Sequence, residues 1–177
     1  EAGTYFSNEN LGQLLKTGIG TGEEKNILLA ELMKKVGIQA WPVLISTRQY
    51  RKFNPEIYQM RQFNYLILLM QIDSTYTYLD AASKFCPFGM LPPKCLVEAG
   101  FLIDGDNSEI VKVLSTEQRT YRLDVTAMHI DSTGSVRCST VSSPSGYFAP
   151  DYGAEAEASG LTDFVKDYYL DRLGVPC

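Results

Sequence analysis

Few residues in this chain could do chemistry, and the first group stands in "TGIGTGEE", residues 17–24, where glycines lead into a helix. Backbone N–H groups exposed at a helix start attract anions, so phosphate binding is one chemistry to test against the pattern. The pattern is incomplete for it. No G-x-x-x-x-G-K-[ST] is present, the element before the glycines reads as a short helix rather than a strand, and Glu23 and Glu24 would repel a phosphate. A cysteine would suit the same place, because a helix N-terminus stabilises a thiolate. None is there, and Thr21 is better read as the helix cap.

Thiols and imidazoles occur elsewhere: four cysteines (Cys86, Cys95, Cys138 and Cys177) and a single histidine, His129. No CxxC occurs, and one histidine does not make a zinc site of usual composition, so no metal and no cofactor is expected. The cysteines allow more than one complete pairing. Cys86 and Cys95 flank "PFGMLPPK" and would form a disulfide in an exported protein or stay as ordinary buried thiols. Cys177, at the last position, reads as an exposed thiol. A Cys86–His129 dyad would need two distant segments to meet; a half-buried structural role is the default for His129 in "TAMHI". Two further candidates are Trp41, a core residue or a ligand platform, and Arg48. With Arg51 and Lys52, Arg48 forms a small positive cluster in "STRQYRKFNPE", either a solvated loop or a receptor for an acidic partner. The tyrosines of "PSGYFAPDYGAE" suit helix packing or a sticky surface.

The elements that must position these residues follow from spacing. Asn8 caps a helix to about Thr17, with Leu11, Leu14 and Leu15 on one face and Gly18 ending it. Thr21 and Glu24 have capping-box spacing, Ile27, Leu28, Leu32, Met33 and Val36 recur at helical intervals, and Gly37 is the stop. "QAWPVLIS" (39–46) reads as a strand whose Pro42 argues for an edge or a bulge. "FNYLILLMQI" (63–72) reads as a central strand buried on both faces, and "YTYLD" (76–80) returns antiparallel to it after a turn. Beyond "DGDNSE" come strands at 110–116 and 120–130, a turn at "DSTG", a partner strand at 135–142, and helices at about 150–158 and 161–173. The second helix carries an apolar stripe of Leu161, Phe164, Val165, Tyr168, Tyr169 and Leu173.

With a net charge of −5 and a pI of about 4.9 the chain lacks the basic face of a nucleic-acid binder. Its longest apolar run, "YLILLM", is too short for a membrane span. The first residue is Glu1 rather than Met, and the chain is expected to be part of a longer polypeptide.

"GTGEEKNILLAELMKKVGIQAWPVLISTR", "QFNYLILLMQI", "YTYLDAA" and "CPFGMLPPKC", in that order and spacing, resemble the transglutaminase-like superfamily, closest to its branch in large cell-envelope proteins of Bacteroidetes. The likeness covers about residues 9–103. It implies an α+β chain: a transglutaminase-like (papain-like) core with a mixed or antiparallel sheet and a core helix over 1–104. A small β-rich unit with C-terminal helices would follow over 105–177. It also implies a periplasmic or cell-envelope location.

Active members of that family use a Cys–His–Asp triad, in which the base activates the thiol and the acid orients the base. Carried over residue by residue, counting back from Gly37 and Ile38, the nucleophile position is Gly22. The histidine position is Asn64 (Phe63, one residue earlier, is no better), and the acid is Asp80. An asparagine amide cannot serve as a general base. The resemblance therefore implies a non-catalytic module with a protein, peptide or glycan partner and with Trp41, Arg48 and Cys86 as cleft candidates. The alternative is an active cysteine peptidase or acyltransferase with a displaced nucleophile, Cys86.

Overall fold

A computed structural model of the chain describes residues 11–57, 59–113 and 120–171. The chain divides into two compact units, Glu1–Thr116 and Glu117–Cys177. The division falls after 116 and not near 104, because the strand at Glu109–Lys112 pairs into the sheet of the first unit.

In the first unit α1 (Leu11–Thr17) ends at Gly18, whose N–H donates to the Leu14 carbonyl at 2.8 Å. The Asn8 cap lies outside the described residues. α2 (Gly22–Lys35) begins with a complete capping box: Glu24 N–H donates to Thr21 Oγ1 at 3.2 Å, and Thr21 N–H to Glu24 Oε2 at 2.7 Å. It ends in a Schellman arrangement, with Gly37 N–H on Lys34 O at 3.2 Å and Ile38 N–H on Met33 O at 2.9 Å.

The inner face of α2 differs from the expected stripe. Leu32 and Val36 are exposed, 41% and 71%, whereas Leu29, Ala30 and Met33 pack toward the sheet. The cause is Asn26, fully buried and hydrogen-bonded to the sheet. Gly22, Asn26, Ala30 and Met33 follow one another at three- and four-residue steps, so fixing Asn26 inward turns that row inward.

The sheet has five strands: β1 (Gln39–Ile45), β2 (Tyr65–Ile72), β3 (Thr75–Leu79), β4 (Ala99–Leu102) and β5 (Glu109–Lys112). Their order is β3-β2-β1-β4-β5, and every pair is antiparallel. The sheet curls until its two edges approach: Tyr78 Oη on β3 donates to the Lys112 carbonyl on β5 at 2.8 Å. Alternate residues therefore enter two cores. Val43, Ile45, Tyr65, Ile67 and Leu69 face Leu91 and Cys95. Leu44, Leu66, Leu68 and Met70 lie on the other side with Ile27, Leu29, Ala30 and Met33. β2 is buried along six successive residues, as its apolar run implies.

β1 is an interior strand, paired with both β2 and β4, so Pro42 does not mark an edge strand. Its carbonyl accepts from Ile103 N–H at 2.9 Å, which directs the missing N–H to the β4 side, just past the last paired residues Val43 and Leu102.

In the second unit β6 (Arg122–Ile130) and β7 (Val136–Pro144) form an antiparallel hairpin. Its turn is held by the Asp131 carboxylate, which accepts from Thr133 N–H at 2.8 Å and Ser135 N–H at 3.0 Å. α3 (Phe148–Ser159) and α4 (Leu161–Val165) follow, and α4 runs on as a π-helical segment, Lys166–Asp171. Phe148, Tyr152, Phe164 and Tyr168 form a ring cluster with neighbouring centroids 4.8–6.2 Å apart, so Tyr152 serves helix packing. Leu161 and Val165 remain 70% and 45% exposed instead of joining the stripe. The Tyr169 side chain and Leu173 lie outside the described residues.

Candidate functional site

The inner row of α2 meets the start of β2 and the end of β3 at one point. Gly22 opens α2, and a Cβ added there would lie 2.7 Å from Tyr65 Oη, 3.0 Å from Ala82 Cβ and 3.1 Å from Tyr65 Cε2. A side chain at position 22 and the Tyr65 ring compete for the same space. Tyr65 Oη in turn sits 3.1 Å from both oxygens of the Asp80 carboxylate. Of the three positions that the resemblance assigns to a triad, the structure brings Gly22 and Asp80 to the hydroxyl of one side chain. That side chain is Tyr65.

Asn64 is elsewhere. Its Oδ1 accepts from Thr47 N–H at 2.8 Å and its Nδ2 donates to Thr47 Oγ1 at 2.9 Å, a two-point clamp on the loop after β1. Phe63 packs with Phe53 and Phe101, ring centroids 5.1 and 6.2 Å away. The residue whose side chain meets Asp80 is Tyr65, one position after Asn64. The usable signal was the alternation of β2, since Tyr65, Ile67 and Leu69 share a face.

Asp80 is held on every side. Its Oδ1 accepts from Asn26 Nδ2 at 3.0 Å and from Ala82 N–H at 2.9 Å, and the Cys95 thiol lies 4.0 Å from Oδ2. Asn26 also donates to the Leu66 carbonyl at 2.8 Å and accepts from Ala81 N–H at 2.7 Å, joining helix, sheet and loop through one buried amide. Lys94 Nζ stands 3.9 Å over the Tyr65 ring. Burial, and then the Asp80 carboxylate, push the Tyr65 phenol well above its ordinary value of 10.0. The same two causes, in the same order, push the Cys95 thiol well above 9.0. Near neutral pH Tyr65 is therefore a neutral hydroxyl and Cys95 a neutral, fully buried thiol.

Cys86 is half-buried in the loop after β3, with its N–H on the Ser83 carbonyl at 3.4 Å. Cys86, Cys95 and Cys138 are all thiols, so Cys86 and Cys95 are not joined. The chain's one histidine, His129, belongs to the second unit and is exposed on β6, not half-buried. Trp41 is half-buried and packs against the core that contains Tyr65. Among the described residues no group of three or more His, Cys, Asp and Glu is placed to hold a metal ion. Nor is any helix among them long and apolar enough to cross a membrane.

Arg48 occupies a different setting. It lines a groove of about 780 Å³ together with Arg51, Lys52 and, as the single carboxylate, Glu98. All three cations are exposed. The loop carrying them is pinned by polar side chains: the half-buried Asn64 clamped on the buried Thr47, and the buried Ser46, whose Oγ donates to the Arg51 carbonyl at 2.5 Å. Further along, Asn54 N–H donates to Gln62 Oε1 at 2.9 Å. Sequence spacing located the cations but not the clamps, whose partners lie up to 17 residues away.

No protein-family model, no curated protein and no solved structure matches this chain.

Proposed function

We propose that the chain is a non-catalytic transglutaminase-like module that serves binding or architecture in a larger cell-envelope protein. One observation carries this reading. The space a nucleophile's β-carbon would need at Gly22 is occupied by the Tyr65 phenol, which is anchored to the acid Asp80. The loss of a thiol at 22 and the presence of tyrosine at 65 are one packing solution, and it leaves Asp80 orienting a hydroxyl where a triad would have it orient a base. The cluster then acts as a polar staple joining α2, β2 and the loop after β3. The competing reading, with Cys86 as nucleophile, needs a base, and the unit that holds Cys86 contains no histidine.

The test is thiol reactivity against pH combined with amide hydrolysis and acyl-transfer assays. Cys86 is half-buried and is expected to show no rapid alkylation at depressed pH, and no turnover is expected. Rapid Cys86 alkylation at depressed pH, or turnover lost in Cys86→Ser, overturns the reading.

A further inference from the structure

We infer that the groove beside the 46–55 loop is a docking site for an acidic polypeptide segment of another protein, one that carries an apolar side chain next to its carboxylates. The inference deepens the proposed binding role and rests on it. Three features of the groove lead there.

The first is charge. On a chain of net charge −5, Arg48, Arg51 and Lys52 fall within five consecutive residues and line one wall, against a single carboxylate, Glu98. Cations gathered on an otherwise acidic molecule favour a partner of opposite sign and disfavour nucleic acid, which the remaining surface repels.

The second is preorganisation. An exposed basic loop with only solvation to serve has no need of buried clamps. Here Ser46, Thr47 and Gln62 are 2%, 7% and 5% exposed, and each is hydrogen-bonded so as to fix this loop. Arg48 N–H adds a bond to the Lys94 carbonyl at 3.1 Å. A loop already fixed loses little freedom when a ligand binds, and that raises affinity for a given set of contacts.

The third is the adjoining pocket. A cavity of about 240 Å³, walled by Phe63, Phe101 and Met60, shares Phe53, Pro55 and Ile110 with the basic groove. The space suits one apolar side chain, with carboxylates reaching the cations of the adjoining groove. A small anion would leave the pocket unused and a purely apolar ligand would leave the cations unused. An acidic segment with an apolar anchor uses both, and alternating side chains on an extended segment reach two adjacent subsites.

The experiment is fluorescence anisotropy on the full chain with three labelled octapeptides: alternating glutamate and phenylalanine, all glutamate, and alternating lysine and phenylalanine. The glutamate–phenylalanine probe is expected to bind, the all-glutamate probe several-fold more weakly, and the lysine–phenylalanine probe not detectably. Binding should fall at about 1 M salt, where the Debye length is about 3 Å. Arg48→Glu/Arg51→Glu/Lys52→Glu should weaken it about tenfold or more, and Ile110→Thr several-fold. Unchanged melting temperatures keep either loss from being a folding defect.

No binding of the glutamate–phenylalanine probe overturns the inference. So does equal binding of the lysine–phenylalanine probe, or indifference to the triple charge reversal in a folded variant. None of these outcomes touches the non-catalytic reading, which stands or falls on the Cys86 assays.

Discussion

Two polar regions of the first unit are built from similar materials and have opposite properties. Around Asp80, every hydrogen bond turns inward: the carboxylate, the Asn26 amide and the Tyr65 hydroxyl satisfy one another and the adjacent backbone. Beside Thr47, the half-buried Asn64 amide and the buried hydroxyls of Ser46 and Thr47 hold a loop whose cations line an open groove. A buried polar group is costly unless paired, so both sets of bonds serve stability. They differ in what is left over. The Asp80 cluster leaves nothing for a ligand, and the Thr47 loop leaves three charges.

The contrast can be broken most forcefully at Asn26. Asn26→Ala would strip partners from the Leu66 carbonyl, the Ala81 N–H and Asp80 at a fully buried position. At about 1–3 kcal/mol for each buried group left unpaired, with partial relaxation, the expected loss is about 3 kcal/mol. The urea midpoint reports it. A loss under about 1 kcal/mol would mean that the cluster is not closed.

A second substitution tests whether Tyr65 is what closes the space beside Gly22. Gly22→Cys adds a β-carbon 2.7 Å from Tyr65 Oη and should cost about 2 kcal/mol, the usual scale of overpacking, without gain of activity. Gly22→Cys combined with Tyr65→His relieves the clash with the phenol and places an imidazole near position 22 and Asp80. The double variant should be more stable than Gly22→Cys alone, and its new thiol should alkylate at lower pH than Cys86. If the double variant is no more stable than the single, Tyr65 is not the obstacle.

Alkali should open the closed cluster and spare the groove. Tyr65 and Cys95 have pKa values raised in the folded protein, mainly by burial and then by Asp80. For such groups the folded state favours the proton. Their contribution is fully present below the unfolded values and is lost as pH rises past about 9 for the thiol and about 10 for the phenol. Stability measured by urea denaturation should therefore show a fall above about pH 9. Tyr65→Phe should reduce the part that begins near the phenol value, which it shares with Tyr78, also raised by burial, and Cys95→Ala should remove the part that begins near the thiol value. A fall of equal steepness in both variants would assign it to other residues.

Much of the scaffold was legible in local patterns. The α2 capping box, its Gly37 stop, the buried β2 and the β2–β3 return all depend on residues within a few positions of one another. What was not legible depended on register. The side chain that meets Asp80 is Tyr65 and not its neighbour Asn64, and in a strand one residue reverses the face. β4 (Ala99–Leu102) carries four residues with a glycine among them and no alternation long enough to read, so β5 was assigned to the wrong unit. The inner face of α2 was misread because Asn26, a polar residue, is what fixes it, and apolar periodicity gives such a residue no weight.

The smallest expected effect on stability is the most informative about the groove. Asn64→Ala removes two hydrogen bonds to Thr47, one to its N–H and one to its hydroxyl. Asn64 is half-buried, so water can replace part of the loss, and the cost should be about 1 kcal/mol. The substitution leaves Arg48, Arg51, Lys52 and the net charge untouched. If Asn64 only supports the fold, binding of the glutamate–phenylalanine probe should survive with its affinity and salt dependence intact. If it holds the cations in place, affinity should fall several-fold while the salt dependence persists, because the charges remain and their geometry is lost. Full affinity in Asn64→Ala would show that the clamp and the groove are independent, and it would remove preorganisation from the account of how this loop binds.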